Sequence, residues 1–491
     1  MYFVGVDIGT SSVKILAIDE LGEIVGSVSK EYPIYFPQPM WSEQNPEDWW
    51  NKTLEGLEEL LQGIDREKVK AISLSGQMHG LVILDENDEV IRPAILWNDQ
   101  RTEKECLYLN NEIGTDKISS WTGNIALTGF TAPKILWLKE NERDNFHKIK
   151  KIMLPKDYIA YKMSGVFGTD YSDASGTLYL DVKNKEWSKD MLELLGISTS
   201  QLPKLYESYE AVGNIKPSLA SILELNEDVK IVIGGGDQAV AAVGGGIVGE
   251  NACSVSLGTS GVVFANSKEF VVDHFNRLHS FCNANGKYHV MGVTLAAAAS
   301  LKWWVENINH SGDYEGITGE IKEADVSKNV YFLPYLMGER TPHNDPYARG
   351  TFIGMDMTTE KKDMTLAVLE GVAFSLRDTF EIMKNMGINI SEITINGGGA
   401  RNSLWCQIMA DVLDVKVNKV NSEDGPAYGA AILAAVGYGL FHTVDEACSA
   451  FIKVTDTICP NKDRVALYDK KYMKYKQIYP CMKGLFRDLA K

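Results

Sequence analysis

Apolar and polar positions alternate and then run together in an order that occurs twice along this chain. From the first residues, Tyr2–Ile8, Val13–Asp19 and Glu23–Tyr32 read as three strands of a meander, joined by turns at Gly9-Thr10-Ser11 and Leu21-Gly22. Apolar residues then recur at helical spacing from Pro46, a good first-turn residue, to Leu61, and Val69–Ser75 reads as a buried strand. Residues 76–190 are richer in loops and aromatics, as an insertion shaping a pocket would be. Strand Val229–Ile233 runs into Gly234-Gly235-Gly236-Asp237, and an apolar, glycine-rich helix follows from Gln238 to Gly246. The order then repeats, with a strand pair over 252–265 turning at Gly258-Thr259-Ser260. Helices follow over about 295–309 and Glu360–Asn385. Strand Glu392–Ile395 ends in Gly397-Gly398-Gly399, and helix Asn402–Leu413, strand Val415–Asn418 and helix Pro426–Val436 come after it. The charged, periodic tail over 465–489 reads as a surface helix. Strands flanking helices predict an α/β fold with mixed sheets, and 491 residues exceed what one core accommodates. Two domains are expected, over residues 1–247 and 248–491.

The two glycine-hydroxyl turns carry the first chemical information. In Asp7-Ile8-Gly9-Thr10-Ser11 and in Ser256-Leu257-Gly258-Thr259-Ser260, the glycine lets the backbone approach a ligand closely. The following amides and hydroxyls can then grip phosphate oxygens. One such turn is compatible with simple packing. Two related ones, a domain apart, predict a duplicated nucleotide-binding unit with phosphate between its halves. Gly397-Gly398-Gly399 ends a strand and opens a helix, where free amides and the positive helix end suit an anion, so adenosine and the inner phosphates are expected there. Asp7 and Asp237 are strand-end carboxylates. Phosphoryl transfer to a hydroxyl needs Mg²⁺ to spread phosphate charge and a carboxylate to orient and deprotonate the acceptor. Asp237, behind three glycines, is the better base; Asp7, beside a phosphate turn, is the better metal-side group. Gly76-Gln77-Met78-His79-Gly80 and Leu96-Trp97-Asn98-Asp99-Gln100-Arg101 offer the amide, imidazole and aromatic groups that a polyol needs. Taken singly, each also has a structural reading: a turn aspartate, a satisfied histidine, a loop tryptophan.

Composition narrows the partners. A net charge of -17 provides no basic field for nucleic acid or an anionic membrane, yet leaves a small nucleotide admissible. The 7 cysteines are scattered without a CxxC pair, as in reduced cytosolic chains. No window approaches 18 uninterrupted apolar residues, Val293–Val305 being the most apolar helical stretch, and the first residues enter a strand directly. A cytoplasmic protein is expected. GxxxxGK[ST], the HRD and DFG motifs and HExxH are absent, and His279-Ser280-Phe281-Cys282 lacks a second ligand pair for zinc.

Taken together, these residues resemble the FGGY family of carbohydrate kinases, within the actin-like ATPase fold. The likeness rests on Asp7–Ser11, on Gly129-Phe130-Thr131-Ala132-Pro133-Lys134-Ile135-Leu136-Trp137-Leu138, on Gly234–Ala239, on Gly338-Glu339-Arg340-Thr341-Pro342 and on Gly397–Asn402, and covers nearly the whole chain. Within the family, Gln77–Gly80, Ile95–Arg101, Met40–Gln44 and Leu154–Tyr158 are most similar to the branch that phosphorylates D-xylulose. The resemblance implies two actin-like (RNase H-like) domains around a nucleotide cleft, with ATP and Mg²⁺ as cofactors and a sugar held mainly by the first domain. By the same resemblance, Asp237 is the base, Asp7 lies near the metal, directly or through water, and Met78 and His79 contact the sugar, with Trp97 and Asp99 beside them. Gly9, Thr10, Ser11, Gly258 and Thr259 form the phosphate turns, and Gly398, Gly399 and Asn402 the nucleotide side. Members are often dimers, so a homodimer is admissible. The residues alone leave open a kinase for ribulose, fuculose or glycerol, and an actin-like ATPase whose hydrolysis drives a switch.

Overall fold

The computed structural model describes residues 1–323, 326–422 and 424–489. In the first half, strands β1 (Tyr2–Ile8), β2 (Ser12–Asp19), β3 (Ile24–Glu31), β4 (Val69–Gly76), β5 (Ala211–Asn214) and β6 (Lys230–Gly236) form one sheet in the order β5-β6-β4-β1-β2-β3. In the second half, β7 (Cys253–Leu257), β8 (Gly261–Ser267), β9 (His279–Cys282), β10 (Tyr288–Thr294), β11 (Glu392–Asn396), β12 (Lys416–Val420) and β13 (Val454–Ile458) form another, in the order β9-β10-β8-β7-β11-β12-β13. Each sheet has a central strand, β1 or β7, with two antiparallel neighbours on one side. On the other side each has two parallel strands and then an antiparallel edge. The second sheet adds only β9. The repeat legible in the sequence is thus a repeat of topology.

Burial explains the strand patterns. Phe3, Val4, Val6 and Ile8 of β1 are fully enclosed because helices cover both faces of its sheet. On one face lies α1 (Pro46–Gln62), which starts on proline, is capped by Asn45 accepting from the Glu47 amide, and buries Trp49, Thr53, Leu57, Leu60 and Leu61. Each fully buried leucine there contributes about 1.5–3 kcal/mol of transfer free energy.

The other face is covered from far away in sequence. Helix α3 (Asp237–Gly244) belongs to the first half and helix α6 (Gly425–Tyr438) to the second, and α6 packs Ala427, Ala431 and Leu433 with Phe3, Leu16, Ile18 and Val232. A Cβ on Gly5 would overlap the Ala427 carbonyl, and one on Gly429 would overlap the Val240 carbonyl. Backbones touch at this crossing, so glycine is required.

Other elements complete the two halves. Helix α2 (Thr131–Asn141) follows the Gly129 turn, α4 (Lys361–Asn385) and α5 (Ser403–Leu413) pack on the second sheet, and α7 (Lys462–Leu489) ends the described chain. Two expectations change here. The helix placed at about 295–309 runs Ala298–Ile308, and Val293 belongs to β10 rather than to an apolar helix. The tail is not purely a surface helix. It buries Tyr468, Tyr472, Tyr475, Tyr479 and Phe486 along one stripe, with Tyr475 5.1 Å from Phe374 of α4. Tyrosines at helical spacing supply the apolar face that charge content masks. Among the described residues no helix is long and apolar enough to cross a membrane.

Candidate active site

The C-terminal ends of the parallel strands converge on one side of each sheet, where α/β folds bind ligands. At the first turn, the carbonyls are held from outside. Gly9 accepts from the Tyr32 hydroxyl, and Thr10 accepts from Gln44 Nε2 at 2.8 Å. The Thr10 hydroxyl accepts from Trp97 Nε1 at 3.0 Å. At the second turn the same task falls to the start of the next helix: Ala297 N donates to the Thr259 carbonyl at 2.9 Å and Ala298 N to the Gly258 carbonyl at 2.8 Å. With these carbonyls engaged, and the Gly9 amide donating to the Ser12 carbonyl at 3.0 Å, the amides that follow each glycine are the groups the turns offer a ligand.

Asp7 ends β1, opposite Lys14 on β2 and Ser75 on β4. Its Oδ1 is buried and, among the described residues, has no hydrogen-bond partner. Burial pushes the carboxyl up to about 6, against the opposing pull of Ser75 and Lys14. Lys14 in turn reaches across to pair with Asp424, at the start of α6.

Asp237 opens α3 directly after β6. Between Val232 and Gly235 the β6 register shifts, and Gly234 adopts φ 70°, where a Cβ would overlap the Leu74 carbonyl. This bulge re-aims the strand end next to the carboxylate. Gly236 matters for a second reason: a Cβ there would stand 2.9 Å from Met78 Cγ, so the thioether lies against the chain beside Asp237. Burial first, and then the charge of Asp7, push Asp237 up to about 7. The charge of Asp7 thus reaches Asp237, and each carboxyl holds a proton more tightly than an ordinary aspartate.

His79 has φ 71°, and its Nδ1 lies 2.7 Å from the Gly176 carbonyl. A carbonyl only accepts, so Nδ1 carries the hydrogen and Nε2 keeps its lone pair. Burial pushes the imidazole down to about 3, so it is neutral near pH 7. Phe130 packs against it at 4.8 Å and Phe281 at 6.4 Å. Trp97 is 42% exposed beside the first turn. Asp99 has no exposed surface: Arg101 grips it through Nε and Nη2 at 2.9 and 2.7 Å, and the Ser42 amide donates to it at 2.6 Å. Asp99, placed among the sugar-side residues with direct contact left open, has its carboxylate taken up by Arg101 and the Ser42 amide.

At the glycine triplet, Gly397 adopts φ 85° and Gly399 is buried on Leu257, while Gly398 has open space where a side chain would be. The Asn402 Oδ1 caps α5 by accepting from the Trp405 amide at 3.0 Å, and its Nδ2 donates to Thr318 at 3.0 Å. The triplet and the second turn sit on adjacent strand ends, since Ser256 pairs with Asn396.

The FGGY family of carbohydrate kinases matches this chain in both of its parts, the N-terminal domain over residues 2–244 and the C-terminal domain over residues 253–438. The chain belongs to this family. It is similar to xylulose kinase of Bacillus subtilis (strain 168), 40% identical over 488 residues that span 99% of this chain and 98% of that protein. Xylulose kinase of Escherichia coli (strain K12) is 38% identical over 97% of this chain and 98% of its own length. Among solved structures, a xyloylose kinase from Brucella ovis superposes with a TM-score of 0.94 at 37% identity, covering 99% of this chain and 100% of that one. A ligand-bound xylulose kinase from Lactobacillus acidophilus superposes at 0.95 with 27% identity, over 99% of each chain. As an FGGY carbohydrate kinase, the protein is an enzyme that takes ATP as a substrate.

Sequence reasoning about this FGGY kinase missed a buried ionic cluster next to the backbone that leads into Asp237. Lys156 is fully enclosed and pairs with Asp157 at 2.6 Å and Asp170 at 3.0 Å. Ser172 donates to Asp170 at 2.5 Å and accepts from the Gly236 amide at 3.1 Å, which anchors the backbone immediately before Asp237. The signal was present in Leu154-Pro155-Lys156-Asp157-Tyr158, but nothing local ties it to residue 236.

Proposed function

We propose that this kinase phosphorylates D-xylulose on O5, with ATP as donor and Asp237 as general base. The observation that carries the reading is near-full-length similarity to xylulose kinases, together with a half-buried carboxylate and a neutral imidazole at adjacent strand ends. In this reading residues 1–247 hold the acceptor and the base, and residues 248–491 hold the nucleotide. His79 Nε2 accepts a hydrogen bond from a sugar hydroxyl, and the Met78 thioether packs against the carbon chain. Asp237 accepts the O5 proton as the O5–phosphorus bond forms and the bond from the γ-phosphorus to the bridging oxygen of ADP breaks. The amides of the turns at Gly9 and Gly258 take up charge on the phosphates. Asp99 acts at one remove, by holding Arg101 and the Ser42 backbone.

Magnesium fits this site through Asp7, whose buried Oδ1 has no hydrogen-bond partner among the described residues. Among the described residues no three acidic, histidine or cysteine side chains form a cage, which suits a cation held largely by substrate phosphates. When bound, it spreads the charge of the transferring phosphoryl group.

The test is ADP release measured with D-xylulose, D-ribulose, L-fuculose and glycerol. The highest kcat/KM is expected with D-xylulose. A higher value with another acceptor would reassign the substrate, and ATP turnover that no sugar stimulates would point to a conformational ATPase.

A further inference from the structure

We propose that Lys134 is a positioning residue of the acceptor pocket, its ammonium tying the His79 loop to the Gly129 turn that backs Trp97. Lys134 stands in the first turn of α2 with no exposed surface. Its Nζ donates to the His79 carbonyl and to the Gly129 carbonyl, both at 2.7 Å. Among the described residues it forms no ion pair with a carboxylate; burial, against the charge of Asp99, pulls its amine down to about 7, and the two carbonyls take its donors.

The two carbonyls belong to the two walls of the pocket. His79 sits in the left-handed region, which strains a residue other than glycine and persists only where surroundings impose it. Its carbonyl accepts twice, from Lys134 and from the Thr131 hydroxyl at 3.2 Å, while its ring is held at Gly176. Gly129 lies against the Trp97 backbone, where a Cβ would stand 2.8 Å from the Trp97 carbonyl. Trp97 in turn bonds the Thr10 hydroxyl of the phosphate turn. One ammonium thus fixes the imidazole relative to the tryptophan that borders the phosphate turn.

This inference rests on the assignment of His79 to the sugar, and the experiment separates the two. Steady-state KM values for D-xylulose and for ATP are measured for the full chain, His79→Asn, Lys134→Met and the double variant. Lys134→Met keeps the apolar stem and removes the donors. It is expected to raise the D-xylulose KM about 10–100-fold with the ATP KM within about twofold, since displacement of a positioned group by 1 Å costs on this order. Because Lys134 acts through His79, the double variant is expected to be no worse than the more severe single one. Effects that multiply, or equal rises in both KM values, would overturn the positioning role. An unchanged D-xylulose KM in His79→Asn would overturn the sugar assignment instead. Should Lys134→Met not fold, Thr131→Val removes the second donor to the same carbonyl. A rise of about threefold in the D-xylulose KM alone is then expected, and no rise would overturn the inference.

Discussion

Replacing Asp7 by asparagine removes the charge that faces Asp237 while keeping the base itself, which makes it a direct probe of how the two carboxylates are coupled. In the folded protein, burial is the larger cause that raises Asp237 from 3.8 to about 7, and the charge of Asp7 adds to it. A base with a midpoint near 7 is about one-tenth ionised at pH 6 and about nine-tenths ionised at pH 8, so kcat/KM should rise about tenfold across that interval. An aspartate at its ordinary value would be ionised throughout and give a flat profile. Because the carboxylates interact, the midpoint belongs to the pair rather than to either residue. With Asp7→Asn, the like charge is gone and the rising limb moves to lower pH. It stays above the ordinary carboxylate range, because the burial of Asp237 is unchanged.

The assay is initial ADP release from pH 5.5 to 8.5 with both substrates well below their KM values. The height of the Asp7→Asn profile is expected to fall, since a carboxylate beside the phosphates is lost; only its midpoint bears on the coupling. A flat wild-type profile would refute the placement of the base, and an Asp7→Asn limb that stays in place or moves up would refute the coupling.

Stability follows the same electrostatics with the opposite preference. A carboxyl raised by burial binds its proton more tightly in the folded state, so folding stability falls as pH rises from about 4 to 7, and the loss at pH 8 is bounded by about 4 kcal/mol. Asp237→Asn therefore raises the thermal midpoint at pH 8 but not at pH 4, while turnover drops about 10²–10⁴-fold; a lower midpoint at pH 8 would contradict this. Trp97→Phe removes the bond to the Thr10 hydroxyl and is expected to raise the ATP KM about threefold with no change in urea midpoint. Gly5→Ala pushes a methyl into the α6 backbone and should cost about 1–3 kcal/mol in urea unfolding, more if α6 cannot shift. Unaltered stability would mean the crossing is looser than described.

Sequence patterns revealed most of the strand framework, and the reason is burial. Strands enclosed on both faces, such as β1 from Phe3 to Val6, are continuous apolar runs that few other elements imitate. The missed pair β9 and β10 carries polar and aromatic residues, His279, Ser280 and His289, inside the protein, so its hydrophobic signal is weak. Its Asn285-Gly286 turn, with Gly286 at φ 81°, was the available cue. Strand ends singled out Asp7 and Asp237 because each adjoins a glycine turn; alone, either reads equally as a turn aspartate. What separates Trp97 from Asp99 was invisible. Both sit in one polar loop, and only the partners Arg101 and Ser42, brought together in three dimensions, show that one side chain is exposed and the other consumed.

The duplicated topology also explains how one architecture handles two different substrates. The end of β4 corresponds by sheet order to the end of β11, and the end of β6 to the end of β12. In the first half these ends carry Met78, His79 and Asp237, side chains able to exchange hydrogen bonds and a proton with an alcohol. In the second half the β11 end carries Gly397–Gly399, which offers backbone and space to a ligand too large to share its place with side chains. Central strands β1 and β7 keep the same glycine-hydroxyl turn, as the proposed role of both halves in holding phosphate requires. The crossing of α3 with α6 requires glycine on both helices, so the segment that opens on Asp237 is registered directly against the second half. Lys14 adds a charged tie, running from beside Asp7 to Asp424 at the start of α6. Divergence is therefore confined to the strand ends that face one substrate each, while the elements that set the distance between the halves are held by backbone contact.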